Sequence, residues 1–144
     1  MKILVVNGPN LNLTGIRTPD VYGTETLDMI LAELQTYVQS CNGELFAFQS
    51  NHEGELIDVI QSAMGDIEGI IINPGAYTHY SYAIRDAIEA CGIPTVEVHL
   101  SDINSREEFR RVSVIKDVCI AQISGLGKQG YIEAAKLLMS RAMN

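Results

Sequence analysis

Short apolar runs rich in Val and Ile recur along the chain at residues 3–6, 45–48, 69–72, 95–98 and 118–123. Such continuous runs predict strands covered on both faces, hence a parallel sheet. The segments between them carry a different period. Leu27, Ile30, Leu31, Leu34, Val38 and Cys41 keep helical spacing up to Gly43, which reads as a stop signal. Leu56, Val59, Ile60 and Ala63 form a second stripe. Ala83, Ile84, Ala87, Ile88 and Cys91 make a third before Gly92 and Pro94, and Ile132, Ala135, Leu138 and Met139 make the last. Ser105 with Glu108 fits a capping box, which predicts a short helix from Arg106 with Phe109 and Val112 facing inward.

Strand and helix therefore alternate throughout, and 144 residues supply one hydrophobic core and too little for two. The expectation is a single domain over residues 1–144, an α/β doubly wound sheet of five parallel strands with helices on both faces. The simplest order is the flavodoxin-like 2-1-3-4-5. Ligands in such sheets bind beyond the carboxyl ends of the strands, where the winding reverses. The predicted strands deliver polar residues to that rim: Asn7 and Asn10, then Ser50, Asn51, His52 and Glu53, then Asn73, then His99, Ser101 and Asp102. The opposite rim receives ordinary turns, Asn42-Gly43 and Gly92-Ile93-Pro94. A loop at about residues 8–23 carries Asn10, Asn12, Arg17 and Tyr22, with Gly15 and Gly23 as hinges, and reads as a lid. A guanidinium within reach of Tyr22 is one way to make its phenol basic.

Eighteen acidic residues against 10 basic ones give a formal charge of -8, which repels phosphate backbones and anionic lipid. Neither nucleic acid nor a membrane is an expected partner. An anionic ligand would need the field reversed locally, and Arg17 and Arg110 are the arginines nearest the rim loops. Cys41, Cys91 and Cys119 are odd in number and far apart, so they read as buried reduced thiols. The apolar run at the N-terminus is too short for a signal peptide or a span, and a cytoplasmic protein is expected.

Residues 125–130, Gly-Leu-Gly-Lys-Gln-Gly, match the G-x-G-x-x-G string, but no strand ending in an acid follows, so tight-turn glycines are the better reading. His52, His79 and His99 fall near the rim without any ligand spacing, and no metal is expected. Glu97 and His99 are two apart on one strand and share a face, where a carboxylate can orient or charge the imidazole. A polar pair on a core strand is costly unless it is paired, which favours a functional role. Asp86 lies seven residues beyond His79, about two helical turns, and shares its face if the helix starts early.

Taken together, NGPNLNLTGIRTPDVYG, FQSNHEGELID, INPGAYTHYSYAIRDAI, VEVHLSDINSREEFR and GLGKQGY closely resemble the type II 3-dehydroquinate dehydratases over nearly the whole chain. Thr14 and Thr18 depart from the pattern, at positions that touch the lid's packing only. The resemblance implies a lyase that removes water from 3-dehydroquinate to give 3-dehydroshikimate through an enolate, with neither metal nor organic cofactor. The route would be aromatic amino acid biosynthesis or, by the same reaction, quinate breakdown. It further implies Tyr22 as general base, His99 as general acid supported by Glu97, and Arg17 as the lid cation. Asn10 and Asn73 would hold a water against the enolate oxygen. Asn73, His79 and Asp86 would meet substrate hydroxyls, the amides of Leu100 and Ser101 the carboxylate, and Arg110 a further polar group. The family typically assembles as a dodecamer, a tetramer of trimers. The competing class is a flavodoxin-like binding module; it would need a Ser/Thr-rich phosphate loop or clustered acids after the first strand, and residues 8–12 are neither.

Overall fold

A computed structural model describes residues 1–22 and 24–143, with Tyr22 described in its backbone alone. Five strands form one all-parallel sheet: β1 (Lys2–Asn7), β2 (Glu44–Gln49), β3 (Gly69–Asn73), β4 (Thr95–His99) and β5 (Ala121–Ser124), in the order β2-β1-β3-β4-β5. The helices are α1 (Pro19–Tyr22), α2 (Leu27–Ser40), α3 (Glu53–Ser62), α4 (Tyr82–Cys91) and α5 (Gln129–Ala142). The flavodoxin-like order expected from the pattern is the one observed.

Alternate side chains of the central strands serve two cores. Ile3, Val5, Ile71, Val96 and Val98 pack with Ile30, Leu34 and Val38 of α2 and Ala134, Ala135 and Leu138 of α5. Leu4, Val6, Ile70 and Ile72 pack instead with Leu56 and Ile60 of α3 and Ile84, Ala87 and Ile88 of α4. This period of two decides where each polar rim residue goes. Asn7 and Asn73 fall on the α2/α5 side, and Glu97 and His99 on the α3/α4 side.

Local signals fix the helix starts. Thr26 caps α2 by accepting from Met29 N, and Ser81 caps α4 by accepting from Ile84 N. The winding reverses between β1 and β3, and there the loops leaving the two strands touch. A Cβ on Gly8 would lie 2.3 Å from the carbonyl oxygen of Pro74, so only glycine lets the backbones approach.

Several expectations need correction. The edge strands β2 and β5 are only partly covered, because each has a single neighbour and fewer helices above it. The fifth strand starts at Ala121 rather than at 118, since Lys116–Val118 forms a 3-10 turn. No helix starts at Arg106. Asp102 caps a 3-10 turn at Ile103–Ser105, Ser105 donates to the Asp102 carbonyl, and a second turn spans Glu108–Arg111. Phe109 and Val112 are consequently exposed, at 58% and 55%. Cys41 is exposed as well, while Cys91 and Cys119 are half-buried. Among the described residues, no helix is long and apolar enough to cross a membrane.

Candidate active site

The loops beyond β1, β3 and β4 enclose a cleft of about 530 Å³, counting its open mouth. It is lined by Asn10, Arg17, Asn73, His79, His99 and Ser101 together with Leu100, Arg106, Arg110 and apolar neighbours. Three arginines and two histidines line it and, among the described residues, no acid does, in a chain of net charge -8. The local field is thus the reverse of the molecular one, as an anionic ligand requires.

Glu97 and His99 are held together as their spacing suggested. The His99 Nε2 lies 2.5 Å from Glu97 Oε2, and both residues are buried, Glu97 fully. The carboxylate also accepts from Thr78 Oγ1 at 2.7 Å and from Ser113 Oγ at 2.9 Å. Burial alone would raise the Glu97 carboxyl, but the bonds from His99, Thr78 and Ser113 and the charge of His99 outweigh it and hold it below its ordinary value. An ionised Glu97 accepts the Nε2 proton, so the proton His99 can exchange with a ligand sits on Nδ1.

His79 is fixed by the opposite nitrogen. Its Nδ1 donates to the Val112 carbonyl at 2.7 Å. Burial lowers its proton affinity more than the Val112 carbonyl restores it, and His99 and Arg110 lower it further. The ring is therefore held neutral, with Nε2 left as an acceptor for a ligand hydroxyl. Arg110 packs over the Phe109 ring at 4.7 Å and pairs with Glu107 at 2.7 Å, which sets its head at the cleft.

A second polar cluster lies on the other side of the sheet. The fully buried Tyr131 of α5 donates to Asn7 Oδ1 at 2.6 Å and accepts from Asn73 Nδ2 at 3.2 Å. Asn73 Oδ1 accepts in turn from Gly75 N. One amide hydrogen of Asn73 is then spent inside the protein and one remains. Asn10, in the left-handed region at φ 70°, has its own N–H on the side chain of Asn51. The carbonyls of Leu100 and Ser101 accept from Gly127 and Gly125. A trans peptide sets N–H opposite C=O, so the Ser101 amide points away from that turn.

The segment carrying Arg17 is closed by Gly15, at φ +92°, where a Cβ would meet the Thr24 carbonyl at 2.8 Å. The Tyr22 side chain and the Gly23 hinge lie outside the described residues. Asp86 does not line the cleft. The turn Gly75–His79 ends before Ser81 starts α4 anew, so the shared helical face expected for His79 and Asp86 is not formed and Asp86 is exposed. Sequence reasoning set Asn7 on the rim but passed over Arg106, Thr78, Ser113 and Tyr131. Arg106 alone carried a signal, as a third cation beside the rim.

Fold and cleft together define a flavodoxin-like α/β protein with a basic cleft at the switch point and a buried carboxylate–imidazole pair on its wall. The chain belongs to the class II dehydroquinases: the family model "Dehydroquinase class II" matches residues 1–139. It is 58% identical over 134 residues to a 3-dehydroquinate dehydratase of Caldicellulosiruptor saccharolyticus, covering 92% of each chain. A type II dehydroquinase structure from Butyrivibrio crossotus superposes with a TM-score of 0.95 at 52% identity, covering 96% of this chain and 97% of that one. The corresponding structure from Propionibacterium acnes gives 0.91 at 38% identity, covering 99% and 97%.

Proposed function

We infer that the chain dehydrates 3-dehydroquinate to 3-dehydroshikimate in the route to aromatic amino acids, with quinate breakdown as the same reaction in another setting. Family membership carries the substrate, and the cleft supports the reading: three arginines and, among the described residues, no acid facing a carboxylate-bearing ligand, beside a histidine bonded to Glu97. A base takes the proton from the carbon next to the C3 ketone, the electron pair becomes the enolate, and the C1 hydroxyl leaves as water with a proton from an acid. In this reading Tyr22 is the base, kept anionic by Arg17, and His99 delivers its proton through Nδ1. Asn10 and the remaining amide hydrogen of Asn73 stabilise the enolate oxygen through a held water. His79 Nε2 accepts from a hydroxyl, Arg110 binds another polar group, and the amides of Leu100 and Ser101 take the carboxylate. The contact proposed for Asp86 and the dodecamer rest on the family resemblance, and a cytoplasmic location on the short apolar run at the N-terminus.

The test is an ultraviolet assay for the conjugated enone product with wild type, His99→Ala and Tyr22→Phe side by side. The wild type should form the enone, and both variants should fold while losing turnover by roughly 10²-fold or more, the usual weight of a general acid or base. A fully active Tyr22→Phe enzyme would remove this mechanism.

A further inference from the structure

Three consecutive residues without regular secondary structure, Val112, Ser113 and Val114, each touch a different part of the site. The Val112 carbonyl takes the His79 Nδ1 proton at 2.7 Å, and the Val114 carbonyl takes an Arg85 N–H at 2.8 Å. The Val114 amide donates to the Thr78 carbonyl at 2.8 Å. Between these anchors Ser113 Oγ lies 2.9 Å from both oxygens of Glu97. Thr78 and His99 both bond Oε2, so among the described residues Ser113 is the only side chain that reaches Oε1. Lys116 N donates to Ser113 Oγ at 3.1 Å, which fills a lone pair and turns the hydroxyl hydrogen toward the carboxylate.

We propose that Ser113 is a positioning residue for proton transfer, holding Glu97 by Oε1 so that the carboxylate orients His99 without binding its proton too tightly. The proposal rests on the reading of His99 as the proton donor. A carboxylate that accepts several hydrogen bonds spreads its charge and attracts an adjacent imidazolium less. Deleting the Ser113 hydroxyl leaves Oε1 bare in a buried site, concentrates the charge and raises the proton affinity of His99. Every other charged group turned to this pair works in the opposite direction. Arg110, Arg106 and Arg17 line the cleft with His99 and the neutral ring of His79, Arg85 reaches the Val114 carbonyl, and among the described residues no acid lines the cleft. Cys119, half-buried near Glu97, has its thiol pushed up to about 12 by burial first and Glu97 second, so it stays neutral. Glu97 is the carboxylate bonded to His99 Nε2, and Ser113 governs how that carboxylate is held against the ring.

The experiment is NMR titration of the His99 ring in wild type, Ser113→Ala, Ser113→Cys and Ser113→Thr, with the pH profile of kcat for each. In Ser113→Ala, His99 and the high-pH limb of kcat should both move up by about half to one unit, of the size one lost bond to a charged group produces. Ser113→Cys, a weaker donor, should move in the same direction by less, and it serves if Ser113→Ala does not fold. Ser113→Thr, which keeps the hydroxyl, should restore the wild-type profile. A His99 titration unchanged in both Ser113→Ala and Ser113→Cys overturns the proposal, whatever happens to stability or KM. The reading of His99 as the acid fails separately, if His99→Ala retains turnover; the ring titration scores Ser113 in either case.

Discussion

Two buried polar networks flank the same sheet, and they solve the same problem differently. On the α3/α4 side, Glu97 is fully buried and charged, and it gathers His99, Thr78 and Ser113 around one carboxylate. On the α2/α5 side, Tyr131 is equally buried and neutral, and it joins Asn7 to Asn73. Burial pushes the Tyr131 phenol up, away from any working pH, and the bond from Asn73 only partly opposes this. The first network can gain or lose a proton and the second cannot. Both end at the cleft, the first on His99 and the second on Asn73. One side of the sheet is thus built for proton transfer and the other for holding a dipole still.

The sharpest way to break this contrast is Glu97→Gln. The amide keeps the volume but turns an N–H₂ group toward side chains that already donate, and it no longer favours a charged His99. Turnover should fall on the order of 10²–10⁴-fold, comparable to other sites where the group orienting a catalytic histidine is neutralised. Steady-state enone formation measures it, and the wild-type rate in this variant would erase the distinction between the two networks.

Tyr131→Phe should do the converse. It strands Asn7 Oδ1 and Asn73 Nδ2 in the core, beside an Asn7 Nδ2 that already has no hydrogen-bond partner among the described residues. A loss of about 2–4 kcal/mol follows from lost bonds and unpaired buried groups, read by urea denaturation. The loss should be equal at pH 5 and pH 8, because nothing in this network titrates between them, and turnover should fall far less than in Glu97→Gln. A destabilisation that changed across that range would show the second network to be charged after all.

The two networks also differ in how far the sequence disclosed them. Glu97 and His99 lie on one strand two residues apart, and the period of two places them side by side without further information. The sheet order followed in the same way from runs of apolar residues and a right-handed crossover rule. Tyr131 was hidden by distance, since it meets Asn7 124 positions away only after α5 docks on the sheet. It sits one residue before the apolar stripe that starts at Ile132, and its hydroxyl has no local signature. Ser113 and Thr78 were hidden for the same reason. The segment 102–111 misled in another way: Ser105 and Glu108 matched a local motif, but Asp102 caps the preceding turn first and ends it at Ser105. The helical face expected for His79 and Asp86 did not form because Ser81, as a fresh cap, starts a new helix after the turn that ends at His79.

Gly8→Ala tests the geometry both networks share. Its Cβ would lie 2.3 Å from the Pro74 oxygen, a backbone atom that cannot step aside without moving the end of β3 and Asn73. Overpacking of this kind costs about 1–3 kcal/mol. Thermal denaturation should show it, and the lost turnover should appear in kcat, since Asn10 and Asn73 both shift.

The smallest effect is the most diagnostic, because all of the acid sensitivity assigned to these networks belongs to the α3/α4 side. His79 is held below its ordinary value of 6.5, first by burial. As pH falls through 6.5 the unfolded chain takes up a proton that the folded chain refuses, so folding weakens in that window. Glu97 is held below 4.5, so its contribution is complete above 4.5 and is lost as pH falls through its lower folded value. The difference in unfolding free energy between wild type and His79→Gln should therefore change as pH falls through 6.5, whereas the contribution of the Glu97 carboxyl itself is lost only below pH 4.5. Urea titrations at half-unit intervals would separate the two. Because Glu97→Gln also changes the partner of the His99 Nε2 proton, a slope change near pH 6.5 in that variant would report the imidazole, and one confined to pH below 4.5 the carboxylate alone.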